Sequence, residues 1–245
     1  MSFIARICFL FTLVVMMVLA SGCELWVSRF VLPNDNVRVS QYKVDIERGV
    51  AFQTTDGVTL VADIYRSHMS ESAPTILVRI PFSATFKNNL GVSGVGKFWA
   101  SRGYNVVIQG TRGRYKSGGE YYPLRYELHD GIDTLRWLSK QKWFDGRLGM
   151  WGGSAFGYTQ WVLADQIDPG PKALMIQIAS TNFREMFHPG GAFSLESALY
   201  WAVRSGGEKD EDPSFAALER GFNSWPLIEA DNRAAKDIPF FNSIP

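Results

Sequence analysis

The chain is poor in cysteine and histidine and in charge imbalance, and each shortage excludes something. Its two cysteines, Cys8 and Cys23, both fall in the first 23 residues. The body of the chain can therefore carry neither a disulfide framework nor a cysteine metal site. The net charge is +1, with acidic and basic residues mixed along the sequence. No basic stripe or acidic tail offers nucleic acid a surface. There are three histidines, His68, His129 and His188, and no Cys/His cluster or Walker-type phosphate loop. Long apolar runs are also missing after the leader. Within it, Ile7 to Ala20 is apolar apart from Thr12. That run is short for a membrane span and suits a signal h-region behind Arg6.

The leader ends in Leu19-Ala20-Ser21-Gly22-Cys23. Small residues before a cysteine resemble a bacterial lipobox. The expectation is a signal peptide over 1–22, lipidation of Cys23, and a tether over 23–41. The body then lies outside the cytoplasm, held at the cell envelope through its lipid.

Across the whole chain, 46% hydrophobic and 14% aromatic content suits a packed core. Alternating apolar residues from Val44 to Phe52 and from Val58 to Tyr65, around Thr55-Asp56-Gly57, predict an antiparallel hairpin. Strands are predicted over 75–80, 104–109, 147–151 and 173–178, and helices over 95–102, 128–141 and 155–166. In the second of these helices Leu128, Ile132, Leu135 and Leu138 share one face. Such alternation after a hairpin indicates an α/β fold with a mostly parallel sheet. Residues 42–180 form this core. Residues 181–245, with helical spacing over 195–204 and 214–221, read as a partial helical cap.

The segment with chemical meaning is Gly152-Gly153-Ser154-Ala155-Phe156-Gly157, between an apolar strand and an amphipathic helix. A nucleophile elbow needs this order, because a sharp turn lifts the serine hydroxyl above the sheet and glycines permit the close approach of strand and helix. Ser154 is then the nucleophile, and the Ala155 N–H is the obvious donor to an oxyanion. The usual glycine two residues after the serine is displaced here to Gly157.

Other residues read as structural. Asp130 and Asp133, one turn apart, suit a helix start and a structural hydrogen bond better than a metal. Arg112, in the glycine-rich loop over 110–123, braces that loop against a carboxylate. Trp99, Trp137, Trp143, Trp151 and Trp161 are core residues. Phe183, Phe187, Phe193, Tyr200 and Trp201 are candidates to line an acyl or prolyl pocket from the cap.

The ordered run Gln109-Gly110-Thr111-Arg112-Gly113, Ser117-Gly118-Gly119-Glu120, Asp130-Gly131-Ile132-Asp133-Thr134, Trp137, Asp145-Gly146, Gly149-Met150 and Gly152-Gly153-Ser154…Gly157…Thr159-Gln160-Trp161 resembles the cocaine-esterase and X-prolyl dipeptidyl aminopeptidase family. The resemblance spans about 52–180. It implies an α/β-hydrolase fold and a serine hydrolase acting on a small-molecule ester or amide or an X-Pro peptide, with no cofactor. That family commonly places a tyrosine hydroxyl in the oxyanion hole after Arg-x-Pro. Here the segment is Arg79-Ile80-Pro81-Phe82, so the hydroxyl is absent and a group near Ser83 is expected to replace it.

A serine nucleophile also needs a base and an orienting carboxylate, in the chain order Ser, Asp or Glu, His. His68 and His129 precede Ser154, and His188 lies in the presumed cap beside Pro189-Gly190. All three read as solvated or packing residues. The resemblance places the Asp and His beyond the cap, so the expectation is a truncated chain. The alternatives are an inactive hydrolase-like envelope lipoprotein and one half of a split enzyme.

Overall fold

The computed structural model describes residues 38–83, 86–166, 168, 170–206, 213–235, 238 and 241. The leader, Cys23 and nearly all of the tether lie outside the described residues. Strands β1 (Val44–Gln53), β2 (Thr59–Ser67), β3 (Ala73–Ile80), β4 (Asn105–Gly110), β5 (Phe144–Gly153) and β6 (Ala173–Gln177) form one sheet in the order β1-β2-β4-β3-β5-β6. β1, β2 and β4 pair antiparallel, whereas β4, β3, β5 and β6 run parallel. Helices α1 (Phe86–Ala100) and α2 (Glu127–Ser139) connect the parallel strands, and α3 (Ala155–Trp161) follows β5 at once. Beyond β6 come α4 (Phe183–Phe187), α5 (Leu195–Gly206), α6 (Phe215–Phe222) and α7 (Ala230–Ala234), with two short 3-10 turns. No helix among the described residues is long and apolar enough to cross a membrane.

β3 and β4 are central, and their apolar runs are covered on both faces. Side chains alternate along each strand. Leu77 and Val107 therefore join Leu135 and Leu138 of α2 on one face, while Ile76, Val78, Ile80, Val106 and Ile108 meet Ala100 of α1 on the other. The cap helices have their own core around Phe187, Ala198, Leu199, Ala202, Ala230 and Ala234.

Three predicted elements differ in detail. Helix α1 is longer than expected, because Gly91, Gly94 and Gly96 interrupt its apolar spacing. Gly96 is needed for packing, since a Cβ there would sit 2.6 Å from the Tyr65 ring. Helix α3 is shorter than expected. After Trp161 the N–H groups of Leu163 and Ala164 bond three residues back, to Gln160 and Trp161, and the helix tightens into turns. In α2, Leu128 is 46% exposed, while Glu127, Asp130 and Thr134 are buried with Leu135 and Leu138. The first turn of α2 lies over arginines, so its buried face is acidic there.

Candidate active site

The backbone at the end of β5 explains why Ser154 is presented to solvent space. Ser154 has φ 55° and ψ −126°, a conformation costly for any residue with a Cβ. Its N–H donates to the Gln177 carbonyl of β6 at 2.8 Å, and its own carbonyl accepts from Gly157 N–H at 2.8 Å. Strand and helix thus hold the turn from both sides. Gly152 (φ 139°) lies under Phe156, where an added Cβ would come 2.4 Å from the Phe156 Cβ. At Gly157 an added Cβ would come 2.4 Å from the Cβ of Ala179. The displaced glycine therefore has a physical reason: α3 passes closest to β6 and its exit three residues after the serine, not two. Phe156 instead turns toward β3 and packs against Phe82, ring centroids 5.3 Å apart.

Gln160, named from sequence only within the run that carries the resemblance and given no role there, completes this turn. The buried Gln160 amide donates to the carbonyls of Gly152 at 2.8 Å and Met175 at 3.2 Å, tying α3 to β5 and β6. A lone glutamine on the inner face of a short helix is a weak sequence signal for such a tie.

Ser154 and Ala155 open into a cavity of about 220 Å³. Pro81 and Phe82 form one side, and the cap contributes Phe183, Met186, Tyr200 and Trp201. Of the expected cap aromatics, Phe187 and Phe193 are not in the wall. Phe187 belongs to the cap core against Trp201, and Phe193 packs on His188. Trp161, expected in the core, is 39% exposed. Ser83 does not line the cavity either: it pairs by a β-bridge with Tyr115. Tyr121, Leu124, Glu127 and Tyr158 also line the cavity, and none of them was singled out from sequence.

The three histidines stand elsewhere. His68 meets Asp45 at 2.7 Å, His129 contacts Thr55 at 3.0 Å, and His188 stacks loosely on Phe193. None of them lines the cavity.

Charged groups brace the loops around it. Arg112 forms a two-pronged pair with Asp130 (3.0 and 2.6 Å), meets Asp56 at 2.8 Å and lies over the Tyr126 ring. Asp56, His129 and Asp130 are close enough to suggest a metal ion, but the Arg112 guanidinium already supplies the positive charge between the two carboxylates. Asp133 accepts from the Thr55 N–H and hydroxyl at 2.7 and 2.8 Å, a structural role. Arg114 donates to the Ser205 carbonyl and so joins the glycine-rich loop to the cap.

Beneath the cavity, fully buried Arg79 donates to the Glu127 carbonyl at 2.7 Å and to the Gln109 side chain at 3.0 Å, and meets Glu127 Oε2 at 3.1 Å. Burial pushes the Glu127 carboxyl above its ordinary pKa and Asp130 adds to this, against the pull of Arg79. Burial, with Glu127 nearby, also raises the Tyr158 hydroxyl.

The X-Pro dipeptidyl-peptidase (S15 family) pattern matches residues 56–239. The chain belongs to this family. Cocaine esterase of Rhodococcus sp. (strain MB1 Bresler) is 38% identical over 156 residues, 62% of this chain and 27% of that protein. An aminopeptidase from a marine sediment Thaumarchaeota archaeon superposes with TM-score 0.58 at 25% identity, over 86% of this chain and 38% of its own. An alpha-amino acid ester hydrolase superposes with TM-score 0.59 at 21% identity, over 86% and 39%. The fold is that of the α/β-hydrolases, as these structures share it. The chain spans between about a quarter and two fifths of the length of these relatives.

Proposed function

We propose that the protein is a serine hydrolase that cleaves an ester, amide or X-Pro peptide bond through an acyl-enzyme on Ser154. The observation that supports this most is the strained Ser154 turn opening into a largely apolar cavity beside the Ala155 N–H. In this reading Ser154 Oγ attacks the substrate carbonyl carbon and gives its proton to a base. The Ala155 N–H stabilises the oxyanion, and the base returns the proton to the departing alcohol or amine. Water then repeats the sequence on the acyl-enzyme. Phe82 brings no hydroxyl to the wall, so the second oxyanion donor is assigned to the backbone at Phe82. The base and its carboxylate belong to polypeptide outside the described residues, in keeping with the fraction of the relatives that this chain spans. Cys23 carries a lipid that holds the protein at the outside of the bacterial envelope. The mechanism requires side chains and water, and no cofactor.

A second reading is a catalytically silent, hydrolase-like lipoprotein, and the absence of any histidine from the cavity wall favours it. A fluorophosphonate probe applied to the protein from its own host separates the two. Labelling lost in Ser154→Ala supports the hydrolase, and no labelling of the wild type supports the silent protein.

A further inference from the structure

One corner of the cavity differs in chemistry from the rest. Most of the wall is apolar, with Phe82, Phe183, Met186 and Trp201. At the corner stand Leu124, Glu127 and Tyr158. The Tyr158 ring is fixed edge-on against Phe183, centroids 4.9 Å apart at 90°, so its hydroxyl has a defined place. Among the described residues that hydroxyl donates only to the Leu124 carbonyl, at 3.4 Å, well beyond the usual length for an O–H donor. Leu124 holds φ 68° without being glycine, which sets the direction of this carbonyl. Glu127 turns Oε2 toward Arg79. The corner thus offers two acceptors and one weakly engaged hydroxyl.

We propose that this corner is a subsite for an uncharged hydrogen-bond donor, a hydroxyl or amide N–H, on the acyl part of the substrate. A weak bond of 3.4 Å is readily exchanged for a better one, and a purely alkyl chain at the corner would make no use of either acceptor. The group is uncharged because Arg79, itself fully buried, already lies 3.1 Å from the Glu127 carboxylate. An ammonium ion would be a second buried cation for one anion. The assignment rests on the hydrolase reading for its word "substrate", but its geometry can be tested without catalysis.

The test is calorimetric binding to the Ser154→Ala protein of primary amides of four- to six-carbon acids, with a terminal methyl, hydroxyl or ammonium group. At the best chain length the hydroxy-amide is expected to bind about tenfold more tightly than the alkyl amide, the order of one satisfied hydrogen bond. It should also bind more tightly than the ammonium compound. Tyr158→Phe, which keeps the ring and its packing but leaves the Leu124 carbonyl without its donor, should widen the hydroxyl advantage. Equal affinity for hydroxyl and methyl, tightest binding of the ammonium compound, an advantage that Tyr158→Phe fails to widen, or no measurable binding of any hydroxy-amide would each overturn the proposal. Fluorophosphonate labelling of the wild type judges the hydrolase reading separately.

Discussion

Replacing Ser154 by glycine should make the protein more stable while removing its nucleophile. The backbone there, φ 55° and ψ −126°, is open to glycine and strained for anything carrying a Cβ. Such strain costs on the order of 1–3 kcal/mol. Glycine returns part of this through the greater freedom of its unfolded chain, about 0.4–1 kcal/mol. The difference leaves Ser154→Gly about 1 kcal/mol more stable than Ser154→Ala, which keeps the Cβ and therefore the strain. In a chain of this size that corresponds to roughly 2–4 °C in melting temperature. The assay is equilibrium urea unfolding of the two variants side by side, read at the midpoint with unchanged slope. The alanine variant controls for the lost hydroxyl, so the comparison isolates the backbone. If Ser154→Gly proves equal to or less stable than Ser154→Ala, the turn is not strained as described, and its presentation of the serine needs another cause.

The close approach at Gly157 makes a paired prediction. Gly157→Ala places a Cβ 2.4 Å from that of Ala179 and should cost about 1–3 kcal/mol by urea unfolding, and Ala179→Gly in the same chain should recover most of it. Phe82→Tyr adds a hydroxyl on the oxyanion side of the cavity, where the backbone at Phe82 already donates, so fluorophosphonate labelling of Ser154 should change less than about threefold; a gain of about a hundredfold would show that the second donor is missing. Buried Asp63 accepts from Arg48, Gly49 N–H, Tyr115 and Lys116, so Asp63→Asn should cost about 2–3 kcal/mol at neutral pH. Burial pushes the Asp63 carboxyl up, but the hydrogen bonds from Lys116, Gly49 and Tyr115 outweigh it and hold the carboxyl below its ordinary value near 3.8. Its contribution is therefore full above that value and is lost as pH falls through the lower, folded one. The gap between wild type and Asp63→Asn should stay constant from pH 7 to about 5 and close only in strong acid; a gap that closes near neutrality would contradict the assignment.

The strand–Gly-Gly-Ser–helix segment was legible because its punctuation is local: an apolar strand, two glycines, and a helix with no intervening loop. Why the next glycine falls at 157 was not, since that position answers to Ala179 and Ile176, about twenty residues on in β6 and its exit. The same limit applies to α2. Periodicity puts Leu128 on the inner face, yet the residue before it turns inward, because the buried guanidinium of Arg79 in β3 lies there and pairs with its carboxylate. Cap aromatics were legible as a set but not individually. Tyr200 and Trp201 reach the cavity, while Phe187 stays in the cap core; the choice depends on how α4 and α5 pack, which spacing alone does not fix. Helix α1 was under-read because glycine weakens helical spacing whether or not packing demands it, as it does at Gly96.

Charged contacts gather at the cavity end of the sheet, and this bears on what Arg79 and Glu127 are for. Arg79 lies three residues before Phe82, and Glu127 opens the helix after the loop that carries Tyr121 and Leu124. Their pairing thus joins two walls of the cavity. A buried ion pair is a poor source of stability, because desolvation offsets most of the attraction, whereas breaking one leaves a charge stranded. Arg79→Met alone should accordingly cost about 3–5 kcal/mol, while Arg79→Met with Glu127→Leu should fall within about 1–2 kcal/mol of the wild type. If the pair serves position rather than stability, the double variant should unfold normally yet label more slowly at Ser154, since apolar contacts hold Phe82 and α2 without directional bonds. A double variant that labels at the wild-type rate would reduce the pair to a structural filler. One as unstable as the single change would mean that Met and Leu fail to fill the space, which Gly131, with an added Cβ only 2.9 Å from Arg79 Nη1, leaves little room to adjust.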